Sequence, residues 1–154
     1  MKKLLKTAGA GVIIAVLAIS GYSQNAGEIE WLSGIDKKTT VTYGDAVALF
    51  VMQIGKNSSG FDNNQSALAA EGIALDGYTQ DSRLTKGMLS KMTAKYLKLG
   101  GSFMYLILKT ERYSYKVCVA NGIFTEDGSS NDLMSGPGMI EVFSKISDIK
   151  GESK

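Results

Sequence analysis

The sequence predicts a mainly α-helical fold, a small domain built from repeated helix–loop–capped-helix units. Two observations predict it. The first is a degenerate internal repeat with an offset of 50 residues, and the second is a set of apolar side chains with helical spacing that follows a candidate helix N-cap in each copy. With 154 residues, 44% of them apolar and 21% charged, the chain has the size and composition of one globular domain with a modest core.

The two clearest copies share an Ala-x-Gly-Ile sequence, an Asp-Gly turn, a hydroxyl residue and a Gly-Met pair. They cover residues 70–92 and 120–143, and a partial copy covers residues 41–50. The pattern predicts a unit of helix, glycine stop, Asp-rich loop and capped helix. Because one copy cannot bury its apolar stripe alone, we expect the copies to pack on one another.

Candidate helix ends occur at equivalent places in the copies. Thr42, Thr85 and Ser135 stand where N-caps are expected, since a hydroxyl can accept from the free N–H groups of a first turn. Gly72 and Gly122 fit the left-handed position that ends a helix. The side chains spaced on one helical face are Ala46, Leu49, Phe50 and Gln53; Leu89, Met92, Thr93, Tyr96 and Leu97; and Ile140, Phe143 and Ile146.

Residues 1–20 have the order of a secretory signal peptide, with cleavage as late as residue 23 as an alternative. A basic start is followed by about 12 uncharged residues and then by small residues at Ser20 and Ser23. This stretch is shorter than the roughly 20 residues that span a bilayer, which favours cleavage over an uncleaved anchor. We expect a periplasmic or secreted protein with no stable membrane span after cleavage.

Charge and composition exclude several functions. The net charge is +2, but Lys2, Lys3 and Lys6 lie in the leader, so the rest of the chain carries −1. A near-neutral domain lacks the basic surface of a nucleic-acid-binding protein. The sequence has no histidine, which excludes catalysis by histidine and metal sites with histidine ligands. The single cysteine, Cys118, lies in an apolar run and is expected to be buried and inert.

We expect one helical domain over residues 28–148, a polar loop over residues 56–65 and a flexible tail over residues 149–154. The apolar run at residues 103–108 is interpreted as the start of a helix, with a short strand as the alternative. Residues 127–132 have oxygen side chains at alternate positions, as a calcium loop does. A turn before a helix cap explains them better, because Gly and Glu are missing from the required positions.

The order of these features resembles the S-layer homology modules of bacterial cell-envelope proteins. Such modules have an aromatic-rich helix ending in Gly-Ile, a loop, and a helix start similar to Thr-Arg-Ala-Glu. Residues 112–123 look like the first helix, and residues 84–88 and 41–45 look like the second helix start. The resemblance implies a helical repeat architecture over residues 39–147 and a place in the cell envelope.

The same resemblance shows departures at the family's binding positions. The wall-binding arginine is replaced by Tyr43, Lys86 and Pro137, and Asp45 alone supplies the acid of the motif. The family's architecture therefore transfers to this chain more readily than its glycan site.

The leading functional hypothesis is a non-catalytic envelope protein that binds a partner protein or a wall polymer, without a cofactor or metal ion. Candidate contact residues are Lys86, Arg112, Tyr105, Tyr113 and Tyr115, although a packing role is favoured for the tyrosines. The alternative is a secreted hydrolase of envelope glycans or peptides that uses carboxylates such as Glu111 and Glu141, or Ser147 with Lys150. No spacing argument brings two acids together, and no catalytic residue is assigned.

Overall fold

The computed structural model describes residues 26–100 and 110–152 of the chain. The helices of this part are α1 (Ala26–Asp36), α2 (Tyr43–Gln53), α3 (Phe61–Ala70), α4 (Lys86–Leu97), α5 (Glu111–Ala120) and α6 (Gly136–Glu152). The described residues contain no β-sheet, only two isolated β-bridges between segments that precede helices. The prediction of a mainly α-helical fold is therefore confirmed. The leader and the run at 103–108 lie outside the described residues.

The predicted N-caps are present. The Thr42 hydroxyl accepts from the N–H of Asp45 at 3.3 Å, and the Asp45 carboxylate accepts from the N–H of Thr42 at 2.9 Å. This reciprocal pair forms a capping box at the start of α2. Thr85 and Ser135 each accept from the N–H three residues further on, at 3.1 and 3.2 Å. Local sequence thus fixes where α2, α4 and α6 begin.

The predicted glycine stops are also present. Gly72 and Gly122 both have a φ of 72°, in the left-handed region that favours glycine. The following N–H groups, of Ile73 and Ile123, donate to carbonyls five residues earlier at 2.8 and 2.9 Å. Both isoleucines are nearly fully buried. Each stop therefore turns the chain and starts the loop with an apolar anchor in the core.

Three segments that precede the capped helices meet at the centre of the fold. Val41 N–H donates to Met134 O at 3.0 Å, Leu84 N–H donates to Val41 O at 3.0 Å, and Met134 N–H donates to Leu84 O at 2.9 Å. All three side chains are buried. The bonds close a ring of three, so the copies are arranged around a pseudo-threefold centre.

The helices pack in pairs drawn from different copies: α2 with α3, α4 with α5, and α6 with α1. Their buried side chains form one main core, in which the Phe50 and Phe143 rings lie 4.6 Å apart in an edge contact. Each capped helix thus covers the first helix of another copy, and the expectation that the copies pack on one another is confirmed. No helix among the described residues is long and apolar enough to cross a membrane.

The polar loop predicted over residues 56–65 is wrong from Phe61 onward, where α3 begins. The reason is Asn64, a poor helix former that is buried here. Its amide accepts from the N–H of Ser59 at 2.9 Å and donates to the Ser58 hydroxyl at 2.7 Å. Asn64 therefore sits on a helix while its side chain organises the preceding loop.

The flexible tail predicted from residue 149 is wrong for residues 149–152, which continue α6. Ile149 packs against the core. The Lys150 ammonium donates to the Tyr96 hydroxyl at 2.6 Å and lies 3.8 Å from the centre of the Tyr96 ring. These tertiary contacts, which are invisible in the local sequence, hold the last turn against α4.

Candidate functional site

Two surfaces of the molecule share one backbone architecture. The first junction comprises the start of α2, helix α3 and loop 71–85, and the second junction comprises the start of α4, helix α5 and loop 121–135. Tyr43 N–H donates to Ser82 O at 2.7 Å in the first, and Lys86 N–H donates to Asp132 O at 2.8 Å in the second. The same bond therefore holds each loop on the first residue of a capped helix, with loop positions related by 50 residues.

A glycine at the second residue of α2 and α4 lets the loop approach the helix. Gly44 N–H donates to Gln80 O at 3.0 Å, and Gly87 N–H donates to Ser130 O at 2.8 Å. A Cβ at Gly44 would lie 2.9 Å from Gln80 O, and a Cβ at Gly87 would lie 2.9 Å from Ser130 O. Because Cβ atoms do not come that close, any other residue would push the loop away.

The backbone places Gly136, rather than Pro137, in the position of Tyr43 and Lys86. Gly136 N–H donates to Lys38 O at 2.8 Å, as the first helical residue does at the other two starts. The sequence comparison that matched Pro137 with these residues is therefore wrong by one position. The shift of one position arises because the comparison aligns the Gly-Met pairs, and this pair lies one residue later in α6 than in α4.

An open cleft of about 330 Å³ lies at the second junction. The lining residues are Arg112, Tyr115, Lys116, Val119, Glu126, Gly128, Ser129 and Ser130. The four residues from α5 have the spacing of one helical face, and the other four belong to the loop. The cleft is therefore a groove between a helix and a loop.

Arg112 and Tyr115, both predicted as contact residues, lie in this cleft. Tyr115 is only 7% exposed, and its ring packs 5.4 Å from that of Phe124. Its hydroxyl donates to Thr125 O at 3.0 Å. Tyr115 thus packs beneath the cleft as a floor, as the favoured interpretation of the tyrosines expects, whereas Arg112 is exposed.

Lys86, the third predicted residue, borders the cleft from the start of α4. Its ammonium lies 3.2 Å from the carboxylate of Asp132. The same ammonium occupies the space that a Cβ at position 128 would need, which glycine leaves free. The N–H of Ser129 donates to the same carboxylate at 2.9 Å. This backbone bond, with the Lys86 ammonium second, lowers the pKa of Asp132.

Tyr113, another predicted contact residue, does not line the cleft. Tyr113 lies outside it, half-buried beside Ala94 and Val117, with the Lys116 ammonium 5.9 Å from its ring centre. Its position on α5 directs it to the α4 side, because adjacent helical residues point about 100° apart. Tyr105 lies outside the described residues.

The cations of the cleft distinguish the second junction from the first. Arg112 and Lys116 are exposed one turn apart on α5, and neither takes part in the ion pairs found among the described residues. Asp62 and Ser66 occupy the corresponding places on α3. Glu126 is the acidic residue of the cleft lining. The second junction therefore offers two cations where the first has an acid and a hydroxyl.

Loop residues 127–132 form a turn, as the favoured interpretation expects. Asp132 N–H donates to Ser129 O at 3.1 Å, and the carboxylate of Asp132 is held by the bonds already described. The Thr125 hydroxyl donates to the Asp127 carboxylate, which lowers the pKa of Asp127. Both carboxylates are thus engaged within the loop.

The residues suggested for hydrolysis have other partners. The buried Ser147 hydroxyl donates to Phe143 O at 3.0 Å and accepts from the Gln53 amide at 3.2 Å. Lys150 is engaged by Tyr96, so the Ser-x-x-Lys sequence forms no nucleophile–base contact among the described bonds. Glu111 accepts from the Tyr78 hydroxyl, and Glu141 pairs with Lys145 at 2.8 Å.

Sequence reasoning missed Lys116, Val119, Glu126 and the small residues Gly128, Ser129 and Ser130. Glycine and serine carry little chemical signal by themselves. A residue-by-residue comparison of the copies at the offset of 50 would have singled out position 128, where Gly128 replaces Tyr78, and position 116, where Lys116 replaces Ser66.

Over residues 26–100 and 110–152, the fold and the cleft define a class: a mainly helical domain of three related units with a charged groove between two of them. No protein-family model matches the chain, and no curated protein matches it significantly.

Proposed function

We propose that the chain is a non-catalytic exported protein of the cell envelope that binds a partner protein or a wall polymer through the cleft of the second junction. The observation that carries the proposal is the pair of cations on α5, Arg112 and Lys116, beside an open cleft. Neither cation belongs to an ion pair among the described residues, so a charged ligand can pair with both at no cost in broken ion pairs.

The sequence supports the remaining parts of the proposal. The signal-peptide order of residues 1–20 favours a periplasmic or secreted location. The helical repeat and the resemblance to S-layer homology modules favour a binding or structural role in the envelope. A secreted hydrolase is the alternative, and no contact among the described residues favours it.

The test is retention of the purified protein on peptidoglycan and on native envelope extracts. We expect the wild type to be retained and the double variant Arg112→Glu/Lys116→Glu to lose at least about tenfold in affinity, since reversal replaces attraction by repulsion. The matched control, Lys37→Glu/Lys91→Glu, changes the net charge equally on other surfaces. Equal retention of both double variants, or no retention of the wild type, would overturn the proposal.

A further inference from the structure

The glycine stop at the end of α5 contains an Asn-Gly pair, Asn121-Gly122, and the sequence holds no other such pair. Asparagine is a chemically labile residue, and a following glycine makes it most reactive, because glycine has no side chain to hinder attack by its nitrogen and adopts many backbone angles. Both residues are exposed, so water reaches them. Asn121 is therefore the asparagine of this chain whose local sequence most favours deamidation.

Deamidation of Asn121 begins with attack by the next residue. The nitrogen of Gly122 forms a bond to Cγ of Asn121, the Cγ–Nδ2 bond breaks, and Nδ2 leaves as ammonia with the proton of the Gly122 N–H. One water molecule then opens the cyclic imide at either of its carbonyl carbons and leaves aspartate or isoaspartate. The first step requires that the Gly122 nitrogen lie against Cγ and that its N–H be free.

The folded stop meets neither requirement. The Gly122 N–H donates to Val119 O at 2.9 Å. The ψ of Asn121 is 11°, which turns the Gly122 nitrogen away from the Cβ of Asn121 and so from its Cγ. Nδ2, the leaving group, donates to Val117 O at 2.8 Å and is held against the last turn of α5. Deamidation therefore requires that the end of α5 open first.

Ile123 keeps the stop closed. Its N–H donates to Cys118 O at 2.9 Å, and its side chain is only 1% exposed. The stop of α3 is closed in the same way, since Ile73 N–H donates to Leu68 O at 2.8 Å and the Ile73 side chain is buried. At that stop the residue before the glycine is a glutamate, which has no amide nitrogen to lose. The two stops therefore share their geometry, and the stop of α5 alone of the two carries a group that reacts when it opens.

We propose that Asn121 is a modification site gated by the fold: it is protected while Ile123 closes the glycine stop of α5, and it deamidates when that stop opens. The isoaspartate product has an additional methylene group in the main chain immediately before Gly122. This group shifts loop 121–135 relative to α5, and the cleft of the second junction lies between these two elements. Deamidation thus makes an opening at this point irreversible.

The experiment follows deamidation of the wild type at about pH 8 and about 37 °C, in the native state and in guanidinium chloride. Trypsin releases residues 117–145 as one peptide, and tandem mass spectrometry assigns the mass gain of one unit to Asn121 or to Asn131 within it. We expect Asn121 to be the fastest-reacting asparagine in denaturant. In the native protein it should react at least about tenfold more slowly than in denaturant, since a protected group reacts only after local opening.

The variant Ile123→Val tests the gate, and Ile73→Val is its matched control. Each substitution removes one methyl group from a buried isoleucine at an equivalent position of a glycine stop. We expect Ile123→Val to accelerate native deamidation of Asn121 about three- to tenfold, as the loss of a buried methyl group makes opening easier. Ile73→Val should leave the rate close to that of the wild type, because its stop does not hold Asn121.

The inference is overturned if Asn121 deamidates at the same rate in the native and the denatured wild type, or if another asparagine reacts faster in denaturant. Equal rates in native Ile123→Val and Ile73→Val also overturn it, because the closure of the α5 stop would then not control the reaction. The comparison within the wild type needs no substitution, so it decides the protection of Asn121 whether or not either variant folds.

Discussion

The hydroxyl of Tyr78 donates a hydrogen bond to the carboxylate of Glu111, which links the loop of the first junction to the first residue of α5. Arg112, the next residue, lines the cleft of the second junction. The hydrogen bond raises the pKa of Tyr78 to about 12, with burial as the second cause. This titratable contact thus joins the first junction to the second.

The contact should make part of the stability depend on alkaline pH. The pKa of Tyr78 is higher in the folded state than the usual value near 10, so its contribution is complete below about pH 10 and is lost as the pH rises to about 12. We expect Tyr78→Phe to lower the free energy of unfolding by about 1 kcal/mol at pH 8 and by much less at pH 11.5. Urea unfolding of the wild type and of Tyr78→Phe at both pH values measures the free energies of unfolding. A difference between the two proteins that is the same at pH 8 and at pH 11.5 would contradict the prediction.

The close approach of loop and helix should make particular glycines irreplaceable. Gly44→Ala places a Cβ 2.9 Å from Gln80 O, and we expect a loss of about 1–3 kcal/mol in the free energy of unfolding. Gly136→Ala should cost more, because its Cβ would overlap the carbonyl of Ile35. Gly34→Ala is the matched control: it lies in α1 with open space around it, so alanine should stabilise by up to about 1 kcal/mol. Equal effects at Gly34 and Gly44 would be inconsistent with this packing.

Helix ends could be predicted from sequence because their signals are local. The hydroxyl of Thr85 and the missing Cβ of Gly122 act within a few residues of their own positions, so sequence alone located the start of α4 and the end of α5. Asn64 and Lys150 illustrate the opposite case. Their local preferences indicate loop and tail, and contacts with a preceding segment and with Tyr96 override those preferences.

The candidate site could be predicted only in part, for a related reason. Arg112 and Lys86 stood out because they are long cations in or near the repeat motifs, and the fold does bring both to the second junction. Tyr113 differs from Arg112 by one position, yet the helical rotation carries it to another face. Gly128 contributes by lacking a side chain, which has meaning only once the loop and helix that flank it are known.

Two buried hydroxyls on α4 should reduce stability rather than add to it. The hydroxyls of Ser90 and Thr93 are fully buried and have no hydrogen-bond partner among the described atoms. Since an unpartnered buried hydroxyl costs about 1–3 kcal/mol, we expect Ser90→Ala and Thr93→Val to be neutral or stabilising by about 1 kcal/mol. Ser114→Ala is the control: Ser114 is equally buried and donates to Thr110 O at 2.8 Å, so its loss should destabilise. Thermal and urea unfolding compare the three, and a destabilised Thr93→Val would refute the expectation.

The single cysteine should be unreactive until the fold opens. Cys118 is fully buried on α5, its thiol contacts Ser90 O at 3.5 Å, and burial raises its pKa to about 12. At pH 8 almost no thiolate is present in the folded protein, and thiolate is the species that iodoacetamide attacks. We expect no carbamidomethylation of native protein over hours and complete modification in guanidinium chloride, measured by intact mass. The destabilised variant Gly136→Ala should react faster than the wild type because opening exposes the thiol, and rapid modification of the native wild type would place Cys118 at the surface instead.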